Sequence, residues 1–561
     1  MLPTPPVAPD AHSAAWRAGA GLAVALVTVA LLASAGRLGT VLERSAQAPG
    51  PSAVAAAGAA GPGTPEAGRS GISGAPRHTD GAEARIVAAP PSTWDPARAG
   101  DQATAAVLAQ VDETLTALDA ASRVQPALAA SWTTSADGRQ VTFTLRPGLT
   151  FSDGSPLTGA DVVRSWLRLL DPAAPSPLAS LLGDVVGAGD RLAGRAGPGA
   201  VGLHASGDTV TVDFSRPATY FPAAAASPSL AIVPPSIGPS AAGPELPAQL
   251  IVSGAYVPAS QSTTTIRLTA NPHYWAGRPA LATIDIVTDT GTTAPIAAFE
   301  SGDVDYVPVS ASDASWIAYD RTLGAELRTV ASPTVDYYGF DTRHPPFDDA
   351  RVRAAVAQAV DWKRLVQLTS GFLEPATSIV PPGIPGRSAT DFQPTYDPAA
   401  ARAELALAGY PGGRGLPAVT LDSGGFPYDV EIARELKANL GLTVTVEELT
   451  EGYFERLASD PPQMWALSWI ADYPDAEDFL GLLLTSGASA NYGGWSDTAY
   501  DAAVAAAAST TDPTARTAQF DAAQRILQAQ APIVPVAYEP AFALSRTGLL
   551  GAGASGVGLL R

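Results

Sequence analysis

Hydrophobic and polar positions alternate over several short stretches. Val141, Phe143 and Leu145 are spaced by polar residues and follow the turn signal Asp137-Gly138. Val210, Val212 and Phe214 repeat the pattern after Gly207-Asp208. Ile266 and Leu268 mark another such stretch, and Ile284, Ile286 and Thr288 a further one. A period of two predicts half-buried strands. Helical spacing lies between them. Thr158 with Asp161 three residues on is a capping-box pattern, and Val162, Trp166, Leu169 and Leu170 then recur at helical spacing. The spacing of Val352, Ala355, Val356, Ala359, Val360 and Val366 predicts one long helix from about Asp349 to Val366, with Asp348 or Asp349 at its positive end. Further helices are expected near Pro398–Leu407, Tyr428–Asn439, Tyr500–Ala508 and Pro513–Gln530. Strands interspersed with helices throughout predict an α/β protein, and no repeat of solenoid period is present.

Two other apolar runs stand apart. Ala18 to Ala35 carries no charge, with Arg17 before it and Arg37 and Arg44 after it. Its length sits at the lower edge of what spans a bilayer, and Ala33-Ser34-Ala35 has the small-x-small form of a signal-peptidase site. The run reads as a cleaved signal or a retained anchor, and arginines on both sides leave the choice open. Ala46–Gly81, rich in Ala, Gly, Pro and Ser, reads as a flexible tether, so a core helix at 18–35 is disfavoured. The second run is Trp465-Ala466-Leu467-Ser468-Trp469-Ile470-Ala471, which stops at Asp472 and continues as Tyr473-Pro474-Asp475. An acid at a strand end among aromatic rings can receive a cation or an ammonium group. The alternative is an aspartate that caps a turn with Pro474.

Charge and composition remove several function classes. The 561 residues carry a net charge of −20, which opposes nucleic-acid binding, since phosphates need a basic face. There is no cysteine, which excludes disulfides, thiolate metal sites, cysteine nucleophiles and a lipid on an N-terminal cysteine. Neither lysine, Lys363 or Lys437, follows a glycine, so no Walker loop exists. No His-Glu-x-x-His and no Gly-x-Ser-x-Gly occurs. Gly551-Ala552-Gly553-Ala554-Ser555-Gly556 matches a dinucleotide fingerprint, but too few residues follow it for the required helix. No cofactor and no dedicated metal site are expected.

A series of segments then follows in order. Trp94-Asp95-Pro96 leads to Pro126-Ala127-Leu128-Ala129-Ala130-Ser131-Trp132, Phe151-Ser152-Asp153-Gly154-Ser155-Pro156-Leu157-Thr158 and Asp161-Val162-Val163-Arg164-Ser165-Trp166. Ser253-Gly254-Ala255-Tyr256, Asn271-Pro272-His273-Tyr274-Trp275 and Ser301-Gly302-Asp303-Val304-Asp305-Tyr306 come next. Pro345-Pro346-Phe347-Asp348-Asp349, Trp469–Asp475 and Ala531-Pro532-Ile533-Val534-Pro535-Val536 complete it. Across roughly 90–540 the chain resembles the extracellular solute-binding proteins of peptide ABC importers, the oligopeptide, dipeptide and nickel group known as solute-binding protein family 5.

The resemblance implies a two-lobed periplasmic-binding-protein (type II) fold with an extra subdomain inserted in the first lobe. The expected plan is 1–36 signal or anchor, 37–83 tether, 84–103 lobe I, 104–222 inserted subdomain, 223–325 lobe I, 326–540 lobe II and 541–561 a return to lobe I with a tail. It implies hinge closure on a ligand. Asp472 would pair with a peptide's α-ammonium, and backbone near Ser468 and Trp469 would extend the peptide like an added strand. Trp94, Tyr338 and Leu178 would line the site. The chain departs from the family at Ser176-Pro177-Leu178, where tyrosines are frequent, at Asp341, where asparagine is usual, and in its missing lipid-bearing cysteine. The implied partners are a short peptide and ABC permease subunits in the membrane, with the protein a monomer, without catalysis, exported to the periplasm or the outer face of the cytoplasmic membrane, tethered there or released by signal cleavage. Alternatives are the same fold with a nickel chelate, an oligosaccharide or a glycolipid as ligand, a membrane-anchored non-transport regulator, or an exported hydrolase.

Overall fold

The computed structural model describes residues 83–549, apart from 120–121, 331, 370–372, 450–451 and 547–548. The predicted signal or anchor, the tether before Glu83 and the Gly551–Gly556 run lie outside the described residues. Among the described residues no helix is long and apolar enough to cross a membrane.

The chain forms two lobes, each around its own sheet. The first-lobe sheet has seven strands in the spatial order Leu327–Val330, Ala541–Ser545, Tyr306–Val309, Glu83–Val87, Thr283–Val287, Thr265–Ala270 and Tyr256–Gln261. The expected alternation is present. Ile266, Leu268, Ile284 and Ile286 enter the core, while Arg267 and Asp285, directly opposed on the other face, pair at 2.8 Å. Thr288 falls just beyond its strand.

The inserted subdomain carries a four-stranded antiparallel sheet, Ala129–Thr134, Gln140–Leu145, Thr209–Asp213 and Leu203–Ser206. Val141, Phe143, Leu145, Val210 and Val212 point into its core. Trp166 meets Phe143 and Phe221 edge-on, with centroids 6.3 and 5.6 Å apart. The helix bearing Trp166, Gly159–Leu169, starts as predicted, with Asp161 accepting the Thr158 N–H at 2.9 Å.

The second lobe has a six-stranded mixed sheet. Three of its strands lie side by side at its centre: β1 (Thr334–Phe340), β2 (Met464–Ile470) and β3 (Ile533–Tyr538). β1 is buried along its whole length. Tyr338 and Phe340 join one core, while Val335 and Tyr337 join the core on the opposite face. A strand covered on both faces loses its polar alternation.

Two expectations change. The single helix predicted over 349–366 is two helices, Ala350–Ala359 and Trp362–Thr369. Val360 is extended (φ −114°, ψ 132°), and Asp361 starts the second helix by accepting the Arg364 N–H at 3.1 Å. Glu435, from another helix, receives the Asp361 N–H at 2.9 Å and holds the break. The lobe limits also shift. Leu327–Val330 pairs with Ala541–Ser545 in the first-lobe sheet, beyond the expected limit of 325. The helix Gln102–Val111 packs Val107, Leu108 and Val111 into the first-lobe core, and the subdomain core runs on to Leu230 and Ile232. Among the described residues the chain passes between the lobes twice, once between Val330 and Thr334 and once between Tyr538 and Ala541.

Candidate functional site: a carboxyl group at the end of β2

β2 sorts its side chains onto two faces. Trp465, Leu467 and Trp469 enter one core, and Met464 and Ala466 the other. Ser468 continues the second face and donates its hydroxyl to Asp336 on β1 at 2.5 Å. Asp336 also accepts from the Tyr428 hydroxyl at 2.6 Å. The strand ends near a crossover, where the Ala471 N–H donates to the Pro333 carbonyl at 3.1 Å.

The following loop is held from within. Asp475 accepts the Glu477 N–H at 2.9 Å and so caps helix α1 (Ala476–Leu484). The same carboxylate receives two N–H groups of Arg516 at 2.6 and 2.7 Å. The Tyr473 hydroxyl donates to Glu477 at 2.5 Å.

Asp472 sits inside this frame and is only 7% exposed. Its N–H donates to Asp478 Oδ1 at 3.2 Å, but its own Oδ1 has no hydrogen-bond partner. Trp469 Nε1–H donates to Asp478 Oδ2 at 2.7 Å. Burial pushes the Asp472 carboxyl up to about 7. Burial, and then the Asp472 charge, push Asp478 well above the carboxylate range. A buried acceptor without a donor is costly, and two close carboxyls cannot both ionise easily. A bound cation with several N–H donors relieves both problems. Among the described residues no group of three His, Cys, Asp or Glu could hold a metal ion.

Sequence reasoning singled out Asp472, Ser468 and Trp469. Trp469 and the Asp472 N–H both donate to Asp478, whereas Ser468 lies on the opposite face of β2, bonded to Asp336. The structure moves the other three into cores. Trp94 is fully buried in the first lobe and donates its indole N–H to the Pro244 carbonyl at 3.1 Å. Leu178 lies in the subdomain core, and Tyr338 lies in a second-lobe core with its hydroxyl on Asp429. Large apolar surface holds all three there, and the polar ends of Trp94 and Tyr338 are satisfied, so they are corrected from site walls to core residues. Trp469 is itself buried, acting on the site through Asp478. The reading missed Asp478, although an acid inside the apolar Ala476–Leu484 segment is a usable signal. It also missed Asp336 and Glu539, which interact beside the crossovers. Burial and then the Glu539 charge raise Asp336 above the carboxylate range.

Residues 123–491 match the family model "Bacterial extracellular solute-binding proteins, family 5 Middle". The chain is 32% identical to the "Probable deoxycholate-binding periplasmic protein YgiS" of Escherichia coli, over 80% of this chain and 86% of that one. It is 28% identical to the "Periplasmic murein peptide-binding protein MppA" of E. coli, over 80% and 85%. Among solved structures, MppA in its unliganded open form superposes with a TM-score of 0.74 at 26% identity, over 85% of this chain and 96% of that one. A second MppA structure gives 0.66. The chain belongs to the family 5 extracellular solute-binding proteins. Its fold is the two-lobed periplasmic-binding-protein fold, and both the family and these relatives are described as binding proteins.

Proposed function

We propose that the protein is the extracytoplasmic binding component of an ABC importer and captures short peptides between its lobes, with the ligand α-ammonium on Asp472. The observation that carries this reading is the buried, unpartnered Oδ1 of Asp472 beside the second carboxyl of Asp478. An ammonium supplies three donors and a positive charge, matching what the site lacks. Every peptide with a free N-terminus carries this group, so the anchor sets ligand class and leaves side chains unspecified. Ser468 and Trp469 precede the anchor on β2, where peptide backbone can be received. Membrane permease subunits are the partners this role requires. The protein acts as an exported monomer without catalysis or cofactor.

Titration calorimetry with a tripeptide tests the assignment. Asp472→Asn should weaken binding by about 3–5 kcal/mol, on the order of 10²–10⁴-fold in Kd. N-acetylation of the same tripeptide should have a similar effect on the wild type. Equal affinity for free and acetylated peptide would sink the ammonium assignment. Deoxycholate belongs in the same titration because one relative carries it in its name. As an anion it would meet two carboxyl groups at Asp472, so the geometry favours the peptide. A nickel chelate, an oligosaccharide or a glycolipid has no α-ammonium, and a non-transport regulator would bind no peptide.

A further inference from the structure

Tyr473, next to Asp472, leaves its own lobe. Its ring is 3% exposed and packs in the core of the inserted subdomain. There it stacks on Tyr220, with centroids 4.9 Å apart and planes 13° from parallel. Polar groups fix both rings. Tyr473 donates to Glu477 Oε2 at 2.5 Å, and Tyr220 donates to Asp184 Oδ2 at 2.5 Å. Arg216 joins the two sides, donating to Asp184 Oδ1 at 2.6 Å with its Nη2 3.5 Å from Glu477 Oε1. The Thr219 N–H also reaches across to the Ala508 carbonyl at 3.3 Å. Beside the stack lies a cavity of about 320 Å³, bordered by Trp132, Tyr220, Pro385, Pro474 and Arg516. Leu482 of helix α1 also packs against the subdomain core, so the two rings, this leucine and the charges around them make the junction. On its other side Asp472 follows Ala471, which is bonded to Pro333 at a crossover. The anchor residue is thus tied at both neighbours.

We propose that Tyr220 and Tyr473 form a fixed pivot between the inserted subdomain and the second lobe, and that they are positioning residues holding Asp472 toward the cleft as the lobes move. Stacked rings tolerate small rotations while keeping their separation, as a pivot requires. The proposal rests on the ammonium role of Asp472 for its effect on binding. Its mechanical part stands independently of any ligand.

The absence of cysteine makes the test direct, because two introduced thiols are the only ones to label. Ser206→Cys on the subdomain and Ala403→Cys on the second lobe are exposed positions for a dye pair. In this background, Tyr220→Ala should broaden the interlobe distance distribution of the ligand-free protein. It should also raise the tripeptide Kd by at least about tenfold, as loss of a positioning contact does, and shift the pH midpoint of binding. Tyr220→Phe keeps the stack and should restore a narrow distribution and most of the affinity. If Tyr220→Ala leaves both the distribution and the pH midpoint unchanged, the pivot is overturned even where thermal stability falls. If the wild type binds no tripeptide yet Tyr220→Ala broadens the distribution, the pivot stands and the ammonium reading falls.

Discussion

Asp472 combines burial, an unused acceptor oxygen and a neighbouring acid. Burial has raised its carboxyl to about 7, so at mildly acidic pH it holds a proton. An α-ammonium favours the ionised form and displaces that proton. Peptide affinity should therefore rise with pH up to the midpoint, falling below it by about tenfold per pH unit. Calorimetry at pH 6 in two buffers of different ionisation enthalpy should show close to one proton released. Asp472→Asn should abolish the release, and a wild type that releases none would contradict the coupling. Sequence made Asp472 legible because an apolar run stops there abruptly. Its partners were hidden for a physical reason. Asp478 reaches it only when helix α1 folds back, and Tyr220 reaches Tyr473 only when the subdomain docks. Trp94, Tyr338 and Leu178 show the converse, since aromatic or apolar character alone does not separate a cleft wall from a core.

Elements were legible in proportion to how asymmetrically they are buried. Gln140–Leu145 and Thr265–Ala270 each bury one face, and their alternation names them. β1 buries both faces and gives no such signal. The helix break at Val360–Asp361 was invisible because the apolar spacing runs on through it, while Glu435, which receives the Asp361 N–H there, lies far along the chain. Helix α1 depends on one residue in a similar way. Asp475 both caps it and neutralises the buried Arg516, whose guanidinium also lies over Phe520 at 4.9 Å. Asp475→Ala removes the cap and leaves a buried charge unpaired, so it should lower the urea-unfolding free energy by about 3–5 kcal/mol. Replacing Arg516 by Met in the same protein should recover much of that loss, because the uncompensated charge is gone. A double variant as unstable as Asp475→Ala alone would show that the cap, not the charge, dominates.

At the scale of the whole molecule, acidic groups divide by environment, and the division sets how stability depends on pH. Burial pushes Asp112 up to about 8 and Glu477 to about 7, and it raises Asp336, Asp472, Asp478 and Glu539 in the same direction. The folded protein keeps protons on these groups that the unfolded chain releases above about pH 4. Stability contributed by them is therefore complete below the ordinary carboxylate range and lost progressively as pH rises toward 8. Hydrogen bonds lower Asp137, Asp153, Asp320 and Asp349, which act oppositely only near and below pH 4. The net charge of −20 adds self-repulsion that also grows as carboxyls ionise. Urea midpoints of the ligand-free protein should accordingly be higher at pH 5.5 than at pH 8.5. Ligand reverses the slope at one site, since an ammonium on Asp472 binds best when that carboxyl is ionised. The stabilisation by saturating tripeptide should thus be larger at pH 7.5, where the carboxyl is ionised and much of the peptide still carries its ammonium, than at pH 5.5, while the ligand-free protein trends the other way. Parallel slopes with and without peptide would place the ligand away from Asp472. A ligand-free protein more stable at pH 8.5 would mean that these buried carboxyls are ionised in the fold, leaving no proton on Asp472 for the peptide to displace.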